Sequence, residues 1–262
     1  RSSAASIATE ILLRHEARYG QKVGRVQIVL MDADDQPNGF ASPLPYPFVT
    51  IRAVAPDGSD DFGNHEGWLR LVLTHELAHT VHLEEARGLW GLGRKVFGRA
   101  PFLFPNSVAM SWMIEGLATY EETELTAFGR GRNPDSQMVI RTAALEGRFP
   151  KEDQAIYALD SWPGGQVPYL FGEAFLRRLR EQAGEDTIPR MGRQHAGQFL
   201  VGIGQRSAGP GGLATDVEDV GTLGDQLLAA GQRRARVDEP AAIGERIGRD
   251  VDDAHDPGTR QV

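Results

Sequence analysis

Cysteine is absent from all 262 residues. The chain therefore holds no disulfide and no zinc site built on thiolates. That absence does not fix a compartment. Long apolar runs are missing too: no 18 consecutive residues are apolar, so no segment is expected to span a bilayer. Positive charge is outnumbered, with 28 Lys and Arg against 36 Asp and Glu. The net charge is −8 and no basic stripe concentrates it, so nucleic acid is not an expected partner. Neither a G-x-S-x-G elbow nor a P-loop occurs. The chain begins at Arg1 without a charged-then-apolar leader, which points to a removed leader or a fragment. Aromatic residues end at Phe199; none of the following 63 residues is aromatic.

The remaining composition is ordinary for a globular domain, with 40% hydrophobic and 24% charged residues. One large domain is expected over 1–200, with an appendage over 201–262 rich in Gly, Ala, Asp and Arg. That appendage reads as a flexible tail or as aberrant, out-of-frame text. Apolar spacing predicts an amphipathic helix over 5–20, stopped at Gly20. A strand is expected in 24–32 and a second extended region over 38–56, with "PFVTIRAV" as its core. Prolines 43, 45 and 47 suit an edge strand there. Helices are expected over 64–87, 111–129, 137–147 and 169–184, with loop or short helix in 94–107.

"VLTHELAHTVH", residues 72–82, holds three of the seven histidines. On a helix, His75 and His79 lie one turn apart on one face and can reach one metal ion at ~2.0–2.1 Å. Glu76, rotated by about 100°, is turned away from the metal but within reach of water bound there, the place for a general base. About 0.01 chance occurrences of HExxH are expected in a chain of this composition. A catalytic zinc takes three protein ligands and keeps one open position. His82 is a poor third ligand, because it lies roughly 10.5 Å along the axis from His75. It reads as a surface or structural residue, or a group at the rim of a pocket. The pattern HExxHxxGxxH fails as well, since residues 82 and 85 are His82 and Glu85. Glu115, in the apolar setting "SWMIEGLATYEE", is the better candidate. A carboxylate arriving from a second helix completes a His₂Glu set, and Gly116 beside it allows close helix approach.

"HELAH" followed by "WMIEGLATYEE" resembles the gluzincin branch of zinc metallopeptidases, the peptidase MA superfamily. The resemblance implies Zn²⁺ held by His75, His79 and Glu115, with Glu76 as general base. "PYLFGEAF" is similar to the Y-x-x-G element of that branch, which implies that Tyr169 donates its O–H to the oxyanion. Thermolysin-like members place an Asp four residues after the third ligand; here that position is Thr119. Glu122 is the alternative support for a ligand histidine, against its plainer reading as an exposed side chain.

The stretch from about 25 to 190 resembles the peptidase-like module of bacterial envelope proteins in which a β-propeller follows. "NGFASPLPYP", "VFGRAP", "FPN" and "WPGG" carry that likeness. It implies a periplasmic or envelope location and a missing C-terminal propeller; the pattern stops near 195. The fold it implies is zincin-like α+β. A small, mostly antiparallel sheet would pack on the active-site helix, with a mainly helical C-terminal part. The expected activity is peptide-bond hydrolysis on a peptide or protein substrate, with the edge strand around "PFVTIRAV" pairing with that substrate. The alternative is an inactive binding or assembly module of the same fold. No G-x-M-E-N element is present to grip a free N-terminus.

Overall fold

A three-stranded sheet and seven α-helices make up the computed structural model among the described residues, which are 2–32, 36–54, 67–127, 129–148 and 162–197. The architecture is α+β and mostly helical. Expectations for 201–262 and for most of the 148–168 connection fall outside the described residues. No described helix is long and apolar enough to cross a membrane.

Helix α1 (Ser2–Tyr19) buries Ala8, Ile11, His15 and Tyr19, one stripe at three- and four-residue spacing. It ends where Gly20 takes φ +64, a left-handed stop that glycine adopts without strain. Three strands follow: β1 (Gln27–Met31), β2 (Gly39–Ser42) and β3 (Phe48–Arg52). Their order is β1-β3-β2, parallel between β1 and β3 and antiparallel between β2 and β3. The sheet is thus mixed rather than mostly antiparallel.

The strand order also corrects the expected edge. The "FVTIR" segment is the central strand. Prolines 43, 45 and 47 all precede Phe48, so they shape the connection from β2 and remove no donor from β3 itself. Its Val49 and Ile51 are fully buried with Leu73 and Leu77 of helix α2 (Trp68–Glu84).

Every residue of α2 from Leu71 to Glu84 is buried. A helix covered all round lies between layers, and this one has the sheet and α1 on one side and helix α4 (Ser111–Leu125) on the other. Polar pins fix α1. The His15 Nε2–H donates to the Thr74 carbonyl at 3.0 Å, and the Tyr19 hydroxyl donates to Glu121 of α4 at 2.8 Å. After α2 the chain forms α3 (Gly88–Phe97) and two 3₁₀ turns, Pro101–Leu103 and Pro105–Val108. Beyond α4 come a 3₁₀ turn at Arg130–Arg132, then α5 (Pro134–Leu145), α6 (Val167–Ala183) and α7 (Thr187–Gly197). The Asn133 side chain caps α5 by accepting from the Asp135 N–H at 2.8 Å.

Helices α4 and α6 cross backbone to backbone. A Cβ built on Gly116 would lie 2.5 Å from the Gly172 Cα, and one on Gly172 would strike the Trp112 carbonyl. In an exposed helix, Gly→Ala gains about 1 kcal/mol from propensity alone. Here Gly116→Ala is expected to do the reverse and cost about 1–3 kcal/mol, because the obstacle is backbone and does not rotate away. Urea unfolding of the two proteins checks the sign.

Candidate metal centre

The crossing places Glu115 and Tyr169 over the middle of α2. His75 and His79 are 7% and 8% exposed there, one turn apart, with rings edge-to-face at 4.7 Å. Their Nε2 atoms are 3.1 Å apart. Glu115 Oε2 lies 3.4 Å from His75 Nε2 and 3.2 Å from His79 Nε2. Three donor atoms so arranged leave a point about 1.9 Å from each, close to the ~2.0–2.2 Å bonds that imidazole and carboxylate make to zinc. These residues form a group able to hold a metal ion.

The electrostatics favour a cation at that point. Burial works against a charged His75, yet the hydrogen bonds its ring donates to Glu115 and then Glu122 outweigh it and carry its pKa up to about 9. Burial works against an ionised Glu115 as well. The two imidazoles, His79 foremost, overcome it and hold the carboxyl far below its usual range.

Glu122 is not exposed; its side chain is 1% accessible. Seven residues after Glu115, it faces the same side of α4 two turns on. Its Oε1 accepts from the Arg130 backbone N–H at 3.0 Å and the Arg130 Nε–H at 2.8 Å. Its Oε2 accepts from Arg130 Nη2 at 3.0 Å and lies 3.1 Å from His75 Nδ1. Arg130 Nη2 also lies 3.0 Å from His75 Nδ1. A guanidinium only donates and a carboxylate only accepts, so the stronger pairing is Nδ1–H to Glu122. That tautomer turns the Nε2 lone pair toward His79 and Glu115. Burial opposes the Glu122 charge, but Arg130 and His75 bring its pKa down to about 2.

Arg130, 3% exposed, also sets its guanidinium 4.7 Å over the Tyr169 ring. That ring stacks on His75 at 6.1 Å between centroids and 26° between planes. Burial and then the Glu115 carboxylate push the Tyr169 phenol up to about 12, so it stays a donor at neutral pH.

Glu76 faces the same cleft but stands outside the converging donor set. It is 6% exposed, and burial raises its pKa against the pull of His75 and His79. Strand β2 crosses α2 directly at this side chain. A Cβ on Gly39 would lie 2.5 Å from Glu76 Oε1, so glycine there lets strand and carboxylate share the space. The cleft has a volume of about 350 Å³ and takes its walls from β2, α2, α4 and α6.

His82 is neither on the surface nor at the rim. It is 1% exposed, two turns beyond His75 on the same face of α2, near Glu85 and Gly192. Burial pushes its pKa down to about 3, which keeps the ring neutral.

The seven-residue spacing from Glu115 marks Glu122 in the sequence. Nothing marks Arg130, which stands in the "GRGR" turn beyond the helix. Comparison of the chain with protein-family models, curated proteins and solved structures finds no match.

Proposed function

We propose that this chain is a zinc-dependent peptide-bond hydrolase of the gluzincin type with a zincin-like fold. The observation that carries the reading is the convergence of His75, His79 and Glu115 beside a buried Glu76 in one cleft. Two imidazoles and one carboxylate are a donor set that suits borderline-soft zinc, and three protein ligands would leave a coordination position open. Zinc bound there supplies Lewis acidity toward a carbonyl oxygen and makes water more acidic.

The chain's own groups do the remaining work. Glu76 takes a proton from the attacking water and delivers one to the leaving amine. Tyr169 donates its O–H to the carbonyl oxygen as charge builds on it. Glu122 holds the His75 tautomer that keeps Nε2 available. The substrate backbone pairs with β2 rather than with β3. The Arg52 N–H donates to the Asn38 carbonyl at 2.9 Å, which makes 38/52 and 40/50 the hydrogen-bonded pairs of that ladder. Gly39 and Ala41 then direct their backbone groups away from β3, along the wall of the cleft. The Gly39 N–H donates to Asn38 Oδ1 at 2.8 Å, and the Gly39 C=O with the Ala41 N–H and C=O face the side where an extended peptide can add.

The test is elemental analysis of the purified chain and of Glu115→Ala after zinc supplementation and dialysis. About one zinc per chain is expected in the first and at least tenfold weaker zinc retention in the variant. Equal zinc in both removes Glu115 as a ligand. A folded parent chain that binds no zinc ends the hydrolase reading.

A further inference from the structure

Helix α3 is built inside out. Leu89, Leu92 and Val96 recur at i, i+3 and i+7, a spacing that places them on one face. That face ordinarily turns to a core. Here the three are 62%, 58% and 66% exposed, and no residue of α3 is buried. Phe97 and Phe102, just beyond the stripe, are 71% and 69% exposed.

The helix is held by its polar side instead. The Arg94 guanidinium lies 4.4 Å over the Phe104 ring and donates to the Glu84 carbonyl at 2.6 Å. Arg99 stacks on the same ring at 5.1 Å and pairs with the Glu84 carboxylate. Gly93 closes against Leu103 on the underside. The outward direction of the leucines is therefore fixed by these anchors.

Charge around the stripe is one-sided. Residues 86–114 include Arg87, Arg94, Lys95 and Arg99 and not one acidic side chain, in a chain of net charge −8. The neighbouring acids, Glu84 and Glu85, are 5% and 1% exposed and lie beneath the surface. What faces outward is aliphatic, aromatic or cationic.

We propose that the outward face of α3, with Phe97 and Phe102, is a docking site for an anionic lipid surface. Ten residues extend about 15 Å, too short to cross a bilayer and suited to lying flat in its interface. The leucines, valine and phenylalanines enter the acyl boundary. Lys95, exposed beside the stripe, meets the negative headgroups. Arg87 pairs with Glu85, and Arg94 and Arg99 with Glu84, so four cations face two buried carboxylates. The local excess of positive charge offsets the repulsion that a net anionic chain otherwise feels.

The test is vesicle flotation of the full chain. Vesicles of phosphatidylcholine alone are compared with vesicles containing phosphatidylglycerol. Wild-type protein floats with the phosphatidylglycerol vesicles, less with phosphatidylcholine alone, and less in high salt. The double variant Leu92→Asp/Val96→Asp, at exposed positions, keeps its circular dichroism spectrum and zinc content. It loses about tenfold or more of its partitioning. Lys95→Glu, which leaves the apolar stripe intact, loses it several-fold at low salt only. Wild-type protein that stays unbound with both vesicles overturns the proposal, as does equal flotation of the double variant. Self-association that the double variant abolishes, without flotation of the wild type, assigns the face to a second copy of this chain instead.

Discussion

Glu76→Gln is expected to bind one zinc like the parent chain and to lose about 10²–10⁴-fold in turnover. Glutamine fills the same volume between Gly39 and the imidazoles, so the cleft keeps its shape. It also leaves all three converging donors in place. What it lacks is a basic oxygen: an amide takes no proton from water. Folding stability is expected to hold or rise, because the variant no longer buries a carboxylate whose desolvation raises its pKa. The check is degradation of a mixed peptide library followed by mass spectrometry, with zinc content and thermal melting measured on the same sample. Full turnover in the zinc-loaded variant removes Glu76 as the base. Loss of zinc together with turnover shows instead that Glu76 belongs to the ligand set.

The second large effect is expected from Glu122→Ala. The substitution leaves the Arg130 guanidinium buried at 3% exposure without its carboxylate. Breaking a buried pair in this way costs about 3–5 kcal/mol, read by chemical denaturation. It also releases His75 Nδ1, and zinc affinity is expected to fall about 10–100-fold. The two consequences separate in the double variant Glu122→Leu/Arg130→Met. With both charges removed, no ion remains unpaired and much of the stability returns. Zinc affinity stays low, because nothing holds the His75 ring in its tautomer. Chelator competition on the three proteins reads this split. Recovery of zinc affinity in the double variant would show that Glu122 serves folding alone.

The part of this site legible in the sequence is the part that a single helix dictates. His75, Glu76 and His79 take their relative positions from 3.6 residues per turn, whatever the rest of the chain does. The same periodicity marks Glu122 as a neighbour of Glu115 on α4. The buried stripe of α1 and its stop at Gly20 follow from spacing and composition in the same way, whereas α2, which spacing gives one buried side, is covered all round.

Contacts between elements had to come from the tertiary structure. Glu115 reaches the histidines because α4 passes over α2 and is held close to α6 by the Gly116–Gly172 contact. Arg130 joins Glu122 to Tyr169 from a turn outside every helix. Three prolines read as an edge signal, but they shape the approach to a central strand, and the exposed edge beside the cleft belongs to β2. His82 shares the face of His75 and His79, reads in the sequence as a surface, structural or pocket-rim residue, and is buried; Leu89, Leu92 and Val96 have the spacing of a core and are exposed. In each case the sequence by itself determined which side chains share a face. Whether that face meets protein, metal or solvent depends on which other segments pack against it, and those segments lie tens of residues away in the chain.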